Sequence, residues 1–266
     1  MDKDSARTRE ALLELKDVTF SAGAVLILKP VSLALRRGVM TGVIGPNGSG
    51  KSSLVRLIAR QQKPSSGEIR LAGRPLDDFR DRELAREIAY LPQFTPPAEG
   101  MTVRELVALG RFPWHGALGR FGPQDAAKVE SALERTDLSG LADRLVDSLS
   151  GGERQRAWLA MMLAQDTSCL ILDEPTSALD IAHQAEMLAL VHMLTREHEL
   201  SALVVLHDIN MAARYCDELI ALKDGEVVAR GAPQAIVEPE TLGKLYGLPM
   251  GILPHPGTGQ PLSFVS

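Results

Sequence analysis

Cysteine is scarce: only Cys169 and Cys216 occur in 266 residues, and both stand in apolar segments. That excludes a disulfide framework and reads as two packing residues in a reducing compartment. Long hydrophobic runs are missing, and stretches such as SALVVL (201–206) are far too short to span a bilayer. The opening MDKDSARTREALLELK is polar and lacks the apolar core of a signal peptide. The expected location is therefore the cytosol, or a membrane reached only through a partner. No dense Lys/Arg block appears and the net charge is −5, which argues against a nucleic-acid partner. Asparagine occurs only at 47 and 210, so the N-K-x-D base-reading motif of GTPases is absent. The histidines at 115, 183, 192, 198 and 255 show no i,i+4 pairing that would suggest a metal site of their own. There is no internal repeat.

What remains is ordinary globular usage, 45% hydrophobic and 24% charged, enough for one large domain with or without an inserted subdomain. The first region alternates: Leu13, Leu15 and Phe20 against Glu14, Lys16 and Thr19, then Val31, Leu33 and Leu35 against Ser32 and Arg36. This predicts a half-buried antiparallel sheet, extended by EIRLAG (68–73). LIALKDGEVVARG (219–231) reads as a hairpin turning at Asp224-Gly225. VMTGVI (39–44), IAYL (88–91), CLIL (169–172) and ALVVL (202–206) are nearly continuous apolar runs divided by helical patterns. Strands buried on both faces and separated by helices predict a parallel α/β sheet. Residues 101–165 read mainly as helix, with Ala126, Val129 and Leu133 on one apolar face and Ala157, Ala160, Met161 and Ala164 on another. The Pro- and Gly-rich tail predicts an irregular extension.

Ligands of open parallel sheets sit beyond the carboxyl ends of the strands. After VMTGVI comes GPNGSGKS, a G-x-x-x-x-G-K-[ST] loop between a strand and a helix. Gly45, Gly48 and Gly50 let backbone N–H groups turn onto phosphates, and Pro46, Asn47, Ser49 and Ser53 complete the loop. Lys51 supplies a point charge for the β- and γ-phosphates, and Ser52 a hydroxyl for Mg²⁺. The implied ligands are the phosphates of a nucleotide and Mg²⁺. After CLIL come Asp173, suited to Mg²⁺, and Glu174, suited to polarising an attacking water. Gln93 after IAYL can reach Mg²⁺ and the water, and His207 after ALVVL the γ-phosphate. Singly, Gln93 and His207 also suit surface or structural roles; their shared place at strand ends is the argument.

A second glycine turn, LSGGERQR (149–156), opens a later helix. Ser150 and Glu153 form a capping box, which leaves Gly151 and Gly152 unexplained. Each glycine in a helix costs about 1 kcal/mol against Ala. Two together suggest a phosphate approaching a positive helix end.

LSGGERQ resembles the signature of ABC-transporter ATPases. The other elements of that family stand in order: GPNGSGKS, Gln93, LSGGERQ, LILDE (170–174), SALD (177–180) and His207. The expected fold class is α/β, a P-loop NTPase-type mostly parallel sheet core with an antiparallel β subdomain and an inserted helical subdomain. Residues 12–250 form a single ATPase domain, with the helical insertion at about 95–165 and a C-terminal extension at 251–266. The resemblance makes the nucleotide ATP and implies a head-to-tail homodimer, in which Ser150, Gly151, Gly152 and Glu153 close over the partner's ATP. Asp180 is then an interface residue or the N-cap of the next helix, two compatible roles. Many members stack adenine on an aromatic residue of the first sheet. SAGAVLI (21–27) has none, and Val25 or its apolar neighbours stand in its place.

The segments GMTVRELVALGRFPWHGALGRFG (100–122), AYLPQ, PPAEG, SALDIAHQ, VLHDINMAARYCDELIAL and YGLPMGILPHP resemble ATPase subunits of ferric hydroxamate (ferrichrome-type) siderophore importers. That implies a peripheral protein on the cytoplasmic face of the inner (plasma) membrane. Its partners would be an integral membrane permease and, through it, a periplasmic or surface siderophore-binding protein. Phe112, Pro113 and Trp114 would line a permease groove near Gln93, or simply pack the subdomain. The alternatives are an importer ATPase for another iron chelate, haem or cobalamin, and a soluble non-transport ABC ATPase.

Overall fold

The computed structural model describes residues 11–115, 119–177, 179–197 and 200–266. In chain order the elements are β1 (Ala11–Ala22), β2 (Val25–Arg36), β3 (Met40–Ile44), α1 (Lys51–Ile58), β4 (Ser66–Leu71) and β5 (Arg74–Pro75). Then follow α2 (Asp81–Leu84), β6 (Ile88–Leu91), α3 (Val103–Leu109), α4 (Phe112–His115), α5 (Pro123–Arg135), α6 (Gly151–Ala164) and β7 (Cys169–Asp173). The chain ends with α7 (Ile181–Glu197), β8 (Ser201–Val205), α8 (Ile209–Tyr215), β9 (Glu218–Lys223), β10 (Glu226–Gly231), α9 (Pro233–Ile236), α10 (Pro239–Tyr246), β11 (Met250–Pro254) and β12 (Pro261–Val265). The fold is α/β, with a mostly parallel sheet and additional antiparallel sheets.

Two compact units divide the chain: residues up to 78 together with 191–266, and residues 79–190. In the first, β2, β1, β4 and β5 form an antiparallel sheet. Leu13 and Leu15 are buried while Glu14 and Lys16 are exposed, so the period-two pattern places one face on the core. A second layer follows the order β10-β9-β3-β8, with β3 parallel to both β8 and β9, and β9 antiparallel to β10. Every residue of β3 and β8 is buried, as continuous apolar strands require. Asp224 and Gly225, both at positive φ, make the two-residue turn between β9 and β10.

The tail corrects the sequence expectation. Residues 250–265 are not irregular: β11 and β12 pair antiparallel from Met250↔Val265 to Pro254↔Pro261. Proline and glycine crowd the turn between these strands and conceal them in the composition. Asn210 of α8 fastens the hairpin, donating to Ser263 O at 3.1 Å and accepting from Ser263 N at 2.7 Å.

In the second unit β6 and β7 pair parallel. Helix α6 packs against α3, α5 and β6 and is buried on most sides, with Trp158, Leu159, Met162 and Leu163 joining Ala157, Ala160 and Ala164. The single apolar face expected there is too narrow, because α6 is the unit's central helix; Met161 is only half-buried. Arg111 and Asp125 form a buried pair, Nε to Oδ1 at 2.9 Å, and Arg111 Nη1 also donates to Ala164 O at the end of α6 at 2.8 Å.

Candidate functional site

In the first unit, Gly45–Gly50 carry the chain from β3 into α1. Gly45 has φ +149°, and a Cβ there would lie 2.0 Å from Leu222 O of β9. Any side chain would push the loop off the sheet. Ser49 N donates to Pro46 O at 3.3 Å, and Leu54 N to Gly50 O at 2.9 Å as α1 begins. Lys51 is 5% exposed, and its Nζ donates to Gly45 O and Pro46 O, both at 2.9 Å. The ammonium thus closes over the loop's own carbonyls. Ser49 Oγ is buried with no hydrogen-bond partner. An orphaned hydroxyl inside a glycine cradle at a helix N-terminus is what a bound phosphate chain would satisfy, so the residues fit ATP.

Two contacts of this loop were not legible in the sequence. Gly225 N donates to Ser49 O at 3.2 Å while Gly225 O accepts from Lys29 N at 3.0 Å, so the β9–β10 turn ties the phosphate loop to β2. Tyr246 of α10 lies beside the Gly45 backbone, and burial pushes its phenol up to about 12. Neither carries a local motif; both come from long-range packing. Val25 stands 61% exposed at the start of β2. His207 is exposed just past β8, before Asp208, whose side chain caps α8 by accepting from Met211 N at 2.9 Å.

In the second unit, the β6–β7 register sets Leu91 against Leu172. Two residues beyond, Gln93 Nε2 donates to Glu174 Oε2 at 2.6 Å. Asp173 is fully buried at the end of β7, with Tyr90 Oη 3.4 Å from its Oδ2. Glu174 sits at φ +54°, a left-handed conformation that non-glycine residues adopt rarely and that clusters at functional sites.

The signature turn opens α6 as the sequence predicts. Ser150 Oγ accepts from Glu153 N at 3.3 Å, and Ser150 N donates to Glu153 Oε2 at 2.7 Å. The Ser150 backbone N–H, and then its hydroxyl acting on the carboxylate, hold the Glu153 carboxyl below its ordinary range. The two glycines differ. Gly151 is exposed, and the nearest atom to a Cβ there would be Leu179 Cδ2 at 3.8 Å. Gly152 is buried, and its Cβ would lie 2.3 Å from His183 Cδ2. The imidazole, not only an approaching phosphate, therefore requires glycine at 152. Asp180 accepts from His183 N at 3.0 Å and so caps α7, one of its two expected roles.

Trp114 packs within the subdomain. Its indole lies 4.8 Å from the Arg86 guanidinium and 5.1 Å from that of Arg111, and its Nε1 donates to Gln165 O at 2.7 Å. Pro113 is buried, while Phe112 is 51% exposed.

Residues 28–177 match the protein family described as ABC transporter. The chain belongs to the ABC transporter family. It is an ATPase of that family. It is 42% identical over 252 residues to the ferric enterobactin transport ATP-binding protein FepC of Escherichia coli (strain K12), covering 95% of this chain and 93% of that protein. It is 37% identical over 250 residues to the iron(3+)-hydroxamate import ATP-binding protein FhuC of Bacillus subtilis (strain 168), covering 94% and 93%. Among solved structures it is similar to a putative metal-chelate type ABC transporter in an inward-facing conformation. That match has a TM-score of 0.84 and 25% identity, over 97% of this chain and 98% of that one. Among the described residues of this ABC ATPase, no helix is long and apolar enough to cross a membrane.

Proposed function

We propose that the chain is the ATP-binding and hydrolysing subunit that powers import of an iron(III)-hydroxamate siderophore through a membrane permease. The observation that carries the engine half of this reading is the pairing of Gln93 with Glu174 at the ends of two parallel strands, in a chain that also holds a phosphate loop. The hydroxamate half rests on the resemblance of the quoted segments and on the similarity to an iron(3+)-hydroxamate import protein.

In this reading residues 12–250 work as one ATPase domain with its helical insertion at about 95–165, and 251–266 as an extension. Gly45, Pro46, Asn47, Gly48, Ser49, Gly50, Lys51, Ser52 and Ser53 bind the ATP phosphates, and adenine packs on Val25 or its apolar neighbours. Ser52, Gln93 and Asp173 would hold Mg²⁺; hydroxyl, amide and carboxylate oxygens are the hard donors that ion takes. The ion would neutralise charge on the β- and γ-phosphates. Glu174 accepts the proton of the attacking water. Gln93 and His207 orient that water and the γ-phosphate.

The unit of function is a head-to-tail homodimer. Ser150, Gly151, Gly152 and Glu153 of one subunit close over the ATP held by the other, and closure drives a permease bound on the cytoplasmic face of the inner membrane. Gly151 supports this reading most, because neither the capping box nor local packing requires a glycine there. The permease would deliver a chelate received from a periplasmic or surface binding protein.

A second reading, import of another ferric chelate, is favoured by the 42% identity to a ferric enterobactin transport protein. Uptake of labelled ferric hydroxamate by a deletion strain, with ferric enterobactin and haem as competitors, decides between them. Lost hydroxamate uptake restored by the wild-type gene supports the proposal; unchanged hydroxamate uptake with lost enterobactin uptake moves the function to the second reading.

A further inference from the structure

Both signature glycines suit an approaching phosphate, yet Gly152 has a neighbour of its own. A Cβ on Gly152 would meet three atoms of one imidazole: His183 Cδ2 at 2.3 Å, Cγ at 2.9 Å and Nε2 at 3.0 Å. The ring therefore lies against the bare backbone of the first turn of α6. It is held there from its other side. His183 Nδ1 is 2.8 Å and 2.9 Å from the two carboxylate oxygens of Asp180. An ionised carboxylate only accepts, so the proton sits on Nδ1 and is donated to Asp180. The same carboxylate accepts the His183 backbone N–H at 3.0 Å, so ring and backbone are fixed by one anchor. Asp180 is held below its ordinary range by these bonds. About one turn further along each helix, Arg156 of α6 lies 3.6 Å from Glu186 of α7. The starts of the two helices are thus joined at two successive rungs, and the first rung is Gly152–His183–Asp180.

We propose that His183 is a positioning residue for ATP hydrolysis. Its imidazole fixes the turn Ser150–Gly151 at a set offset from the turn at Asp180, so that the two are presented to the partner subunit as one rigid surface. This rests on the composite-site reading above. The physical reason is preorganisation. Ser150 and Gly151 are exposed, and the first amides of a helix have no intrahelical partner. Without a brace, their alignment with the partner's phosphates would have to be found at each closure. Glycine at 152 then serves packing of the brace, and glycine at 151 serves approach of the ligand.

The test uses the purified full chain and follows hydrolysis against ATP concentration, alongside ATP affinity of the free subunit. His183→Asn keeps a donor for Asp180 but takes the ring away from Gly152; His183→Phe keeps a ring and loses the bond. Each is expected to raise the half-saturating ATP concentration for hydrolysis by several-fold, up to about tenfold, the scale of one lost hydrogen-bonded contact. Affinity of the free subunit for ATP should not change. Gly152→Ala alone is expected to abolish most hydrolysis, and His183→Ala added to it should restore a measurable part, because the atoms the new Cβ would strike are gone. Wild-type concentration dependence in both single variants would overturn the proposal. So would a Gly152→Ala/His183→Ala protein no more active than Gly152→Ala, since glycine at 152 would then serve the ligand. Ser150→Arg separates the two levels: if it hydrolyses ATP normally the composite site itself fails, whereas a blocked Ser150→Arg beside normal His183 variants removes only the brace.

Discussion

Gln93 and Glu174 touch, side chain to side chain, at 2.6 Å, although 81 residues separate them in sequence. The amide donates to the carboxylate proposed as general base and fixes where that carboxylate lies before water attacks the γ-phosphate. Glu174→Gln should keep ATP binding and lose turnover by roughly 10²–10⁴-fold, the usual worth of a general base. Single-turnover hydrolysis and nucleotide affinity, measured on the same preparation, check this. Near-wild-type hydrolysis would remove Glu174 from its role.

Gln93→Ala removes this one contact and leaves the carboxylate in place. Hydrolysis should fall less than in Glu174→Gln, and the double variant should lose less than the product of the two single losses, because contacting residues are not additive. A double variant showing the full product of both losses would mean that Gln93 acts independently of Glu174.

Ser150→Arg is expected to spare ATP binding to the single subunit and to block closure, seen as loss of ATP-dependent dimerisation by light scattering. Ser150→Ala removes only the cap and should lower stability by about 1 kcal/mol. If the arginine variant dimerises with ATP, the partner-facing role of the signature turn fails.

Asp125 gives a pH prediction. The Gly122 N–H at 3.0 Å, and then the Arg111 guanidinium at 2.9 Å, hold its carboxyl below the ordinary range. A depressed folded pKa stabilises the protein above the unfolded value, near 4, and the gain is lost as pH falls through the lower folded value. Asp125→Asn should cost about 3 kcal/mol at neutral pH, because it leaves the Arg111 guanidinium buried without its charge partner. Its denaturant midpoint should also vary less with pH in the acid range than the wild type's.

Both thiols should be inert in the folded chain. Burial pushes Cys169 up to about 12, and Cys216 higher still, with Asp217 adding to its rise. A maleimide at pH 8 should label neither until denaturant is added; rapid labelling of either in buffer would contradict the burial.

The phosphate loop, the four buried strands, the β9–β10 hairpin and the capping box were legible because each is local. A glycine loop between strand and helix, a continuous apolar run, an Asp-Gly turn and an S-x-x-E spacing state their geometry within a few residues. The tail hairpin was not, because the residues that break strands in composition stand in its turn. The burial of α6 on most of its surface was not, because a helix among several neighbours loses the one-faced pattern of a surface helix. The packing role of Gly152 is hidden in the sequence, because nothing near it announces His183.

By itself, the sequence determined which chemical groups stand at strand ends and helix starts: Lys51, Ser52, Gln93, Asp173, Glu174, His207 and the Ser150 turn. Those follow from the backbone's short-range rules, under which spacing dictates conformation. Only the tertiary structure decided which of them meet. The Gln93–Glu174 bond needs the β6–β7 register, the tie from Gly225 to Ser49 needs β9 beside β3, and the bare face of Gly152 needs the imidazole of His183. Such contacts are set by packing between segments far apart in the chain, where a missing Cβ in one is filled by a side chain of the other.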